Sequence, residues 1–347
     1  MNLQDSFGRR FNYLRLSVTE LCNFRCNYCL PDGNDCNTPK HGLSVNEIQT
    51  LVQAFAGLGT TKVRITGGEP ALRKDLCEII ETCKKVDGIK KVALTTNGFK
   101  LNQDIERYKQ AGLDAINVSA DSLDPRMFAA ITGKQKLEEI LLGIERAAQL
   151  GVSSIKLNTV MLKQFNYKEL DAFFDYLRSH KVTWRFIELM QTGDNKGFFD
   201  KNHVAGQTIK DRLIEQGWQR IIRETDAGPA QEFMHPEFAG NIGLIMPYSE
   251  DFCESCNRLR VSAQGKLHLC LFAEQGISIR SFLSVGDVSG AQQAIVSHLQ
   301  QKHSQHFLHP FTDPKALQKK GARVITRAEG IYLWDSDGEK ILDGMAG

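Results

Sequence analysis

The chain has 347 residues, 41% of them hydrophobic and 24% charged, with a formal net charge of +2. This balance is typical of a globular protein with a sizeable core, and it predicts neither nucleic-acid binding nor adhesion to a membrane surface. The N-terminal residues lack the apolar core of a signal peptide, and no apolar run of membrane-spanning length follows. We therefore expect a cytoplasmic protein whose nine cysteines are reduced.

Six short β-rich segments alternate with helical patterns. The strand candidates are YLRLSVT from Tyr13, KVRITG from Lys62, KVALTTN from Lys91, AINVSAD from Ala115, SIKLNTV from Ser154 and WRFIEL from Trp184. Ser44 and Glu47 form a capping box before one helical pattern, and another stops at Gly151. This alternation predicts a parallel sheet, either in an incomplete β/α barrel or in a doubly wound fold.

Polar motifs follow three of these strands: TGGEP, TTNG and SADS. Because the carboxyl ends of parallel strands meet at one edge, we expect the motifs to line one mouth. From about Gly193 the alternation gives way to loops and short strands. Near the C-terminus the pattern predicts a β-hairpin with its turn around Asp337 and Gly338.

The first cysteine cluster, in TELCNFRCNYCLPDG, contains Cys22, Cys26 and Cys29. Three thiolates can hold three corners of a four-iron cluster and leave one iron open. A zinc ion would need a fourth ligand, which Cys36 or His41 could supply. The spacing favours a metal site over three buried apolar cysteines, but it leaves iron and zinc open.

The second cluster is again a trio, namely Cys253, Cys256 and Cys270. His268 could complete a zinc site, while an iron with an open position would offer an anchor for a substrate nitrogen or oxygen. The motif CNRLR begins at Cys256. Because side chains alternate in direction along an extended chain, Arg258 and Arg260 should lie on the same side of this segment. Two guanidiniums there could clamp a phosphate or a carboxylate.

Three further cations lie within strand candidates. Arg15 and Lys156 interrupt otherwise apolar strands, and Arg64 has β-branched neighbours. In a barrel, charges embedded in strands are expected to face a polar interior or its mouth.

The C-x3-C-x2-C spacing, with Tyr28 before the last cysteine, resembles the signature of the radical S-adenosylmethionine (SAM) superfamily. TGGEP, at 66–70, resembles the GGE-type motif of that superfamily, whose backbone meets the methionine amino group. The resemblance implies a 4Fe-4S cluster whose open iron chelates SAM. Its one-electron reduction cleaves SAM and releases a 5′-deoxyadenosyl radical.

With RFIELM, GLIMPY and CNRLR added, the motifs from Phe7 to His309 resemble the GTP 3′,8-cyclase family of molybdenum cofactor biosynthesis. This implies an incomplete (β/α)6 TIM-type barrel over 1–230. A C-terminal segment, 231–309, would close its mouth and carry a second 4Fe-4S cluster.

The family's site residues carry over where the motifs match. The implied ligands of the two clusters are Cys22, Cys26 and Cys29 for the first and Cys253, Cys256 and Cys270 for the second. The implied SAM contacts are Tyr28, Gly68, Ser119 and Met190. The implied GTP contacts are Arg15, Arg64, Thr95, Lys156, Arg258, Leu259 and Arg260.

The implied reaction begins when the radical abstracts hydrogen from C3′ of GTP. Attack of C3′ on guanine C8 and a reduction then give 3′,8-cyclo-7,8-dihydro-GTP. The resemblance also implies a homodimer, a flavodoxin or ferredoxin-type electron donor and a downstream cyclic pyranopterin monophosphate synthase. The alternatives are another radical SAM enzyme with an auxiliary cluster, and a zinc-dependent binding module.

The C-terminal segment departs from the family pattern. Family members typically end in two glycines that reach the active site, whereas 310–347 resembles the N-terminal segment of class III aminotransferases. This resemblance favours a frame or assembly chimera over an evolved fusion, and both alternatives stay open. We predict that exchanging this segment for a diglycine-ended tail raises cyclase turnover without changing cluster content. Equal turnover numbers for the two proteins under identical anaerobic conditions would refute this prediction.

Overall fold

A computed structural model describes residues 3, 9–35, 37, 42–191, 195–222, 228–249, 252, 256–269, 276–306, 325–329, 332–335 and 340–342. For residues from 300 onward it describes only the secondary structure. The predicted turn at Asp337 and Gly338 lies outside the described residues, but antiparallel pairing of the strands on either side confirms the hairpin.

The described strands are β1 Tyr13–Ser17, β2 Lys62–Thr66, β3 Lys91–Thr96, β4 Ala115–Ser119, β5 Ser154–Met161, β6 Thr183–Glu188, β7 Gln219–Arg220, β8 Gln231–Met234, β9 Asn241–Ile245, β10 Arg258–Val261, β11 Lys266–His268, β12 Ile277–Ser278, β13 Ile325–Glu329, β14 Tyr332–Asp335 and β15 Lys340–Leu342. The helices are α1 Val45–Gly57, α2 Leu76–Lys85, α3 Leu101–Gln110, α4 Pro125–Thr132, α5 Leu137–Gln149, α6 Leu170–Ser179, α7 Lys196–Asn202, α8 Gly206–Glu215, α9 Arg280–Ser284 and α10 Val288–His306. Short 3-10 helices cover Pro70–Leu72 and Tyr167–Glu169.

All six strands predicted from the sequence form, and they pair in chain order as a parallel sheet from β1 to β6. The capping box of Ser44 and Glu47 starts α1, and Gly151 follows α5 with a φ of 71°. The parallel strands alternate with helices as in an incomplete (β/α)6 barrel, which confirms the predicted architecture.

Two strands of the C-terminal segment extend this sheet. β10 pairs parallel to β1, and β9 pairs parallel to β6, so the strand order becomes β12-β11-β10-β1-β2-β3-β4-β5-β6-β9-β8-β7. The C-terminal segment therefore builds both flanks of the barrel. Sequence reasoning did not predict this pairing.

The two faces of the sheet differ in chemistry. Leu14, Leu16, Val63 and Ile65 are fully buried on the face that packs against the helices. Alternate residues point the other way, and the registers give that face a polar row on nearly every strand. We call this polar face the lumen.

The ends of β1 and β10 separate the two cysteine clusters. Cys22 follows the C-terminal end of β1, whereas Cys256 precedes the N-terminal end of β10, and these strands run parallel. Cys256 thus lies at the edge of the sheet opposite the first cluster. The sequence did not predict this position of the second trio, and closure of the mouth by the C-terminal segment stays a prediction.

No helix in the described part of the chain combines the length and the apolar content that a membrane span needs.

Candidate active site

The loop after β1 holds the first cysteine trio in a fixed backbone conformation. The Cys29 and Leu30 N–H groups both donate to the Cys26 carbonyl, at 3.0 and 2.9 Å. Asn34 clamps Cys22 from both sides, because its Oδ1 accepts from the Cys22 N–H at 2.9 Å and its Nδ2 donates to the Cys22 carbonyl at 2.7 Å. The loop is therefore preorganised by its own hydrogen bonds.

The three thiols interact electrostatically with one another. Burial raises the pKa of Cys26, and Asp121, Cys29 and Cys22 raise it further; burial likewise raises the pKa of Cys29, with Cys22 and Asp121 adding to the effect. Such thiols need positive charge before they can ionise, and iron supplies it. The donor set fits a 4Fe-4S cluster, in which each thiolate binds a different iron. In the described residues, no three His, Cys, Asp or Glu side chains are arranged to hold a single metal ion.

The TGGEP motif packs directly against this loop. The Gly68 N–H donates to the Thr19 carbonyl at 2.8 Å, and the Glu69 N–H donates to the Leu21 carbonyl at 2.7 Å. A Cβ added at Gly68 would lie 2.2 Å from the Leu21 carbonyl oxygen. Glycine is therefore required here by the approach of two backbones, a reason additional to the ligand contact that the resemblance implies.

Substitution of Gly68 by alanine tests this packing. We expect it to displace the cysteine loop, to lower the free energy of unfolding by about 1–3 kcal/mol and to reduce iron incorporation. Gly197→Ala is the matched control, because nothing lies within 4 Å of a Cβ added there. Denaturant unfolding and iron analysis of both variants are the measurements, and normal iron content in Gly68→Ala would contradict the prediction.

Glu69 joins three motifs, and sequence reasoning did not single it out. Its fully buried carboxylate accepts from Thr96 Oγ1 at 2.7 Å and from the Asn97 N–H at 2.6 Å, both in TTNG. Asn97 Nδ2 then donates to Asn23 Oδ1, within the cysteine loop, at 2.8 Å. TGGEP and TTNG, which were both predicted to line the mouth, therefore both support the cysteine loop.

Tyr28 connects the loop to SADS. Its hydroxyl donates to Asp121 Oδ2 at 2.8 Å, and Asp121 Oδ1 accepts from the Val160 N–H at 2.9 Å. Burial raises the pKa of Asp121 to about 6, although both hydrogen bonds lower it. Ser119 ends β4 on the lumen side, and Met190 lies just after β6.

Below this mouth, three arginines lie side by side across adjacent strands of the lumen. Arg260, Arg15 and Arg64 occupy matching register positions on β10, β1 and β2. Arg258 shares the face of Arg260, as alternation predicts, whereas Leu259 is buried in the core and can reach the lumen only through its backbone. We call Lys62, Arg15, Arg64, Arg258 and Arg260 the cation row.

The cation row is electrostatically crowded. Burial lowers the pKa of Arg15 to about 9, and Arg260, Arg258 and Arg64 contribute to the decrease. The Nε atoms of Arg15 and Arg258 are buried without a hydrogen-bond partner in the described part of the chain, as is Asn117 Oδ1 on the same face. Buried polar groups of this kind are normally satisfied, so the lumen is built for a polar, anionic ligand.

The remaining predicted GTP contacts have partners within the chain. Arg64 NH1 donates to Thr95 Oγ1 at 3.2 Å. Lys156 Nζ donates to Glu232 Oε1 at 2.9 Å, and Arg185 NH2 donates to the same oxygen at 3.0 Å. Arg185 and Glu232 were missed by sequence reasoning, although an arginine in RFIELM carried the same signal as Arg15.

The second cysteine trio is described only in part. Cys256 is half-buried just before β10, and His268 ends β11 beside Arg260. Cys253 and Cys270 lie outside the described residues, as do Cys36 and His41.

Comparison with known proteins identifies the family. Residues 16–177 match the Radical SAM superfamily, and residues 182–308 match Molybdenum Cofactor Synthesis C. The GTP 3′,8-cyclase of Actinobacillus pleuropneumoniae serotype 7 is 53% identical over 311 residues, which cover 88% of this chain and 91% of that protein. The GTP 3′,8-cyclase of Vibrio parahaemolyticus is 52% identical over 309 residues, covering 88% and 92%. The chain belongs to the GTP 3′,8-cyclase family.

Family membership confirms the reaction predicted from the sequence. This cyclase is a radical SAM enzyme of molybdenum cofactor biosynthesis, and its cofactors are two 4Fe-4S clusters and SAM. The zinc-dependent binding module and the other radical enzymes considered above are set aside.

Solved structures support the fold of the cyclase. Streptococcus suis SuiB bound to S-adenosylmethionine superimposes with a TM-score of 0.58 at 15% identity, covering 82% of this chain and 68% of SuiB. The anSMEcpe structure with bound AdoMet and Cp18Cys peptide gives a TM-score of 0.55 at 12% identity, covering 85% and 86%. At these identities the likeness concerns the fold alone.

Proposed function

We propose that Cys22, Cys26 and Cys29 hold the first 4Fe-4S cluster, and that the mouth around them binds SAM. The proposed SAM contacts are Tyr28, Gly68, Ser119 and Met190. Three observations support this: the preorganised cysteine loop, the exposed Gly68 backbone beside it and the Tyr28–Asp121 hydrogen bond that fixes the aromatic side chain.

The cation row is the proposed site of the GTP phosphates. The observation that carries this assignment is the electrostatic repulsion among its closely spaced cations. Arg15 is half-buried, and desolvation together with Arg260, Arg258 and Arg64 lowers its pKa although Tyr13 raises it, which costs stability that a polyanion in the lumen would restore. Thr95 and Lys156 border the same space. Leu259 contributes through its backbone.

The second cluster is assigned to Cys253, Cys256 and Cys270, with the guanine anchored beside it. β1 runs from the sheet edge where Cys256 lies to the opposite edge where Cys22 lies, and its five residues span roughly 13 Å. GTP would then lie along the lumen between the two clusters. Its ribose would face SAM at the mouth.

The chemistry is divided between cofactor and chain. When bound, the first cluster supplies the electron that cleaves SAM. The cation row orients GTP so that C3′ faces the mouth, and the fully buried outward faces of the strands limit access of water. Lys156 is itself oriented by Glu232.

An anaerobic assay of the reconstituted protein tests the assignment. With GTP, SAM and dithionite together we expect 5′-deoxyadenosine and the cyclised nucleotide in equal amounts. ATP in place of GTP is the matched control, because it carries the same triphosphate on a different base. Formation of 5′-deoxyadenosine without any dependence on GTP would indicate a different radical substrate, and little iron with stoichiometric zinc would overturn the cluster assignment.

The remaining associations rest on family resemblance. We propose a cytoplasmic homodimer that receives electrons from a flavodoxin or ferredoxin-type protein and passes its product to a cyclic pyranopterin monophosphate synthase. Neither nucleic acid nor a membrane is a proposed partner. The domain bounds 1–230, 231–309 and 310–347 stay a prediction, as does the aminotransferase-like character of the last segment. Light scattering of the anaerobic protein measures the dimer directly.

A further inference from the structure

Tyr13 is a buried phenol at the centre of the cation row. It begins β1 on the lumen face, is 6% exposed, and its hydroxyl accepts a hydrogen bond from Arg64 Nε. Lys62 Nζ lies 4.7 Å from the centre of its ring, and Arg64 Cζ lies 5.9 Å from it. Nothing in the proposed reaction uses this hydroxyl.

Every neighbouring strand presents a cation to Tyr13. Its register partners are Lys62 on β2 and Arg258 on β10, Arg64 lies one lumen position further along β2, and Arg15 lies one lumen position further along β1. Burial raises the pKa of Tyr13, but Arg64, Arg15 and Lys62 together lower it to about 7. The cations thus favour a phenolate, which would give the lumen an internal counter-anion before substrate binds.

We propose that Tyr13 couples a proton to GTP binding: the phenolate balances the cation row without substrate, and it takes a proton from solvent when the triphosphate binds to that row. This inference rests on the proposed GTP site. The reaction at Tyr13 is addition of one proton to the phenolate oxygen. Tyr13 acts here as a positioning residue, because it touches Arg64 and not the reacting atoms of GTP.

The sign of the coupling follows from electrostatics. A bound triphosphate adds negative charge and draws the cations toward itself, and both effects raise the pKa of Tyr13. GTP affinity is therefore highest below the pKa of the free protein and falls as the pH rises through it, by up to about tenfold per pH unit. Titration of GTP itself is the same for every variant, so comparison of variants isolates Tyr13.

Calorimetric titration of GTP into the anaerobic holoenzyme, without SAM, measures this coupling. Pairs of buffers with different ionisation enthalpies give the number of protons taken up, between about pH 6 and about pH 9. Tyr13→Phe removes the hydroxyl and keeps the ring. Tyr108→Phe is the matched control, because Tyr108 is also buried but lies in α3 and bonds Asp104.

We expect the wild type and Tyr108→Phe to take up protons when GTP binds, and Tyr13→Phe to take up fewer. The GTP affinity of Tyr13→Phe should therefore depend less on pH. Incorporation of 3-fluorotyrosine at position 13 keeps the hydroxyl but acidifies it, and it should move the midpoint to lower pH even if Tyr13→Phe folds poorly. An unchanged midpoint, or equal proton uptake in all variants, would overturn this inference and leave the GTP site standing. Failure of the wild type to bind GTP would overturn both.

Discussion

Replacing Cys26 with alanine is expected to abolish formation of 5′-deoxyadenosine. Cys26 is the cysteine of the first trio whose carbonyl organises the loop, and its thiol interacts with those of both other members. Mutation of a residue that hydrogen-bonds a metal ligand typically lowers metal affinity or activity by about 10–100-fold. Loss of a ligand itself should therefore lower the rate by more than about 100-fold. Anaerobic assay and iron analysis of the reconstituted variant are the measurements.

Cys83→Ala is the matched control for this experiment. Cys83 is fully buried in the hydrophobic core within α2, and burial alone raises the pKa of its thiol to about 12. Such a thiol is inert, so the control should lose a little stability and no iron. Iron content in Cys26→Ala equal to that of Cys83→Ala would contradict the ligand assignment.

The repeating part of the fold could be predicted from local sequence patterns. The six strand segments and the ends of α1 and α5 each follow from a short window, because periodicity and capping are local properties. The pairing of β10 with β1 is different. It joins Arg258 to Tyr13 across most of the chain, and no local pattern encodes such a partner. The position of Cys256 at the far edge therefore emerged only with the structure.

The same distinction applies to the site. The cysteine spacing and Arg15 could be recognised as candidate site features from the sequence, because three closely spaced cysteines and a charged residue within an apolar strand are both unusual. Glu69 and Glu232 could not be recognised in this way, because a glutamate has no distinctive sequence pattern until its hydrogen-bond partners are known. Both owe their roles to residues far away in sequence, Asn97 just after β3 and Lys156 on β5, and those contacts depend on sheet register.

Substitution of Arg15 by glutamine is expected to weaken GTP binding and to stabilise the protein at the same time. Arg15 lies between Arg260 and Arg64 in the register, and it is the member of the row whose pKa is lowered by burial and by the other arginines. Truncating one partner of a buried charged contact costs about 2–4 kcal/mol, or roughly 30- to 1,000-fold in affinity. GTP titration of the anaerobic holoenzyme measures this loss.

The gain in stability has the opposite cause. At neutral pH the folded protein without GTP bears the repulsion of Arg15 with Arg258, Arg260 and Arg64, which Tyr13 offsets only in part. Glutamine removes the share of this repulsion that Arg15 contributes, so unfolding should cost about 1–2 kcal/mol more. Arg107→Gln is the control, because Arg107 is exposed on α3 and forms an ion pair with Asp104 in the same helix. Calorimetry with and without GTP separates the two effects: GTP should raise the melting temperature of the wild type and of Arg107→Gln much more than that of Arg15→Gln. If the Arg15→Gln variant lost both stability and GTP binding, Arg15 would be a residue that supports the fold. The repulsion within the cation row would then no longer be evidence that the protein gives up stability in order to bind an anion there.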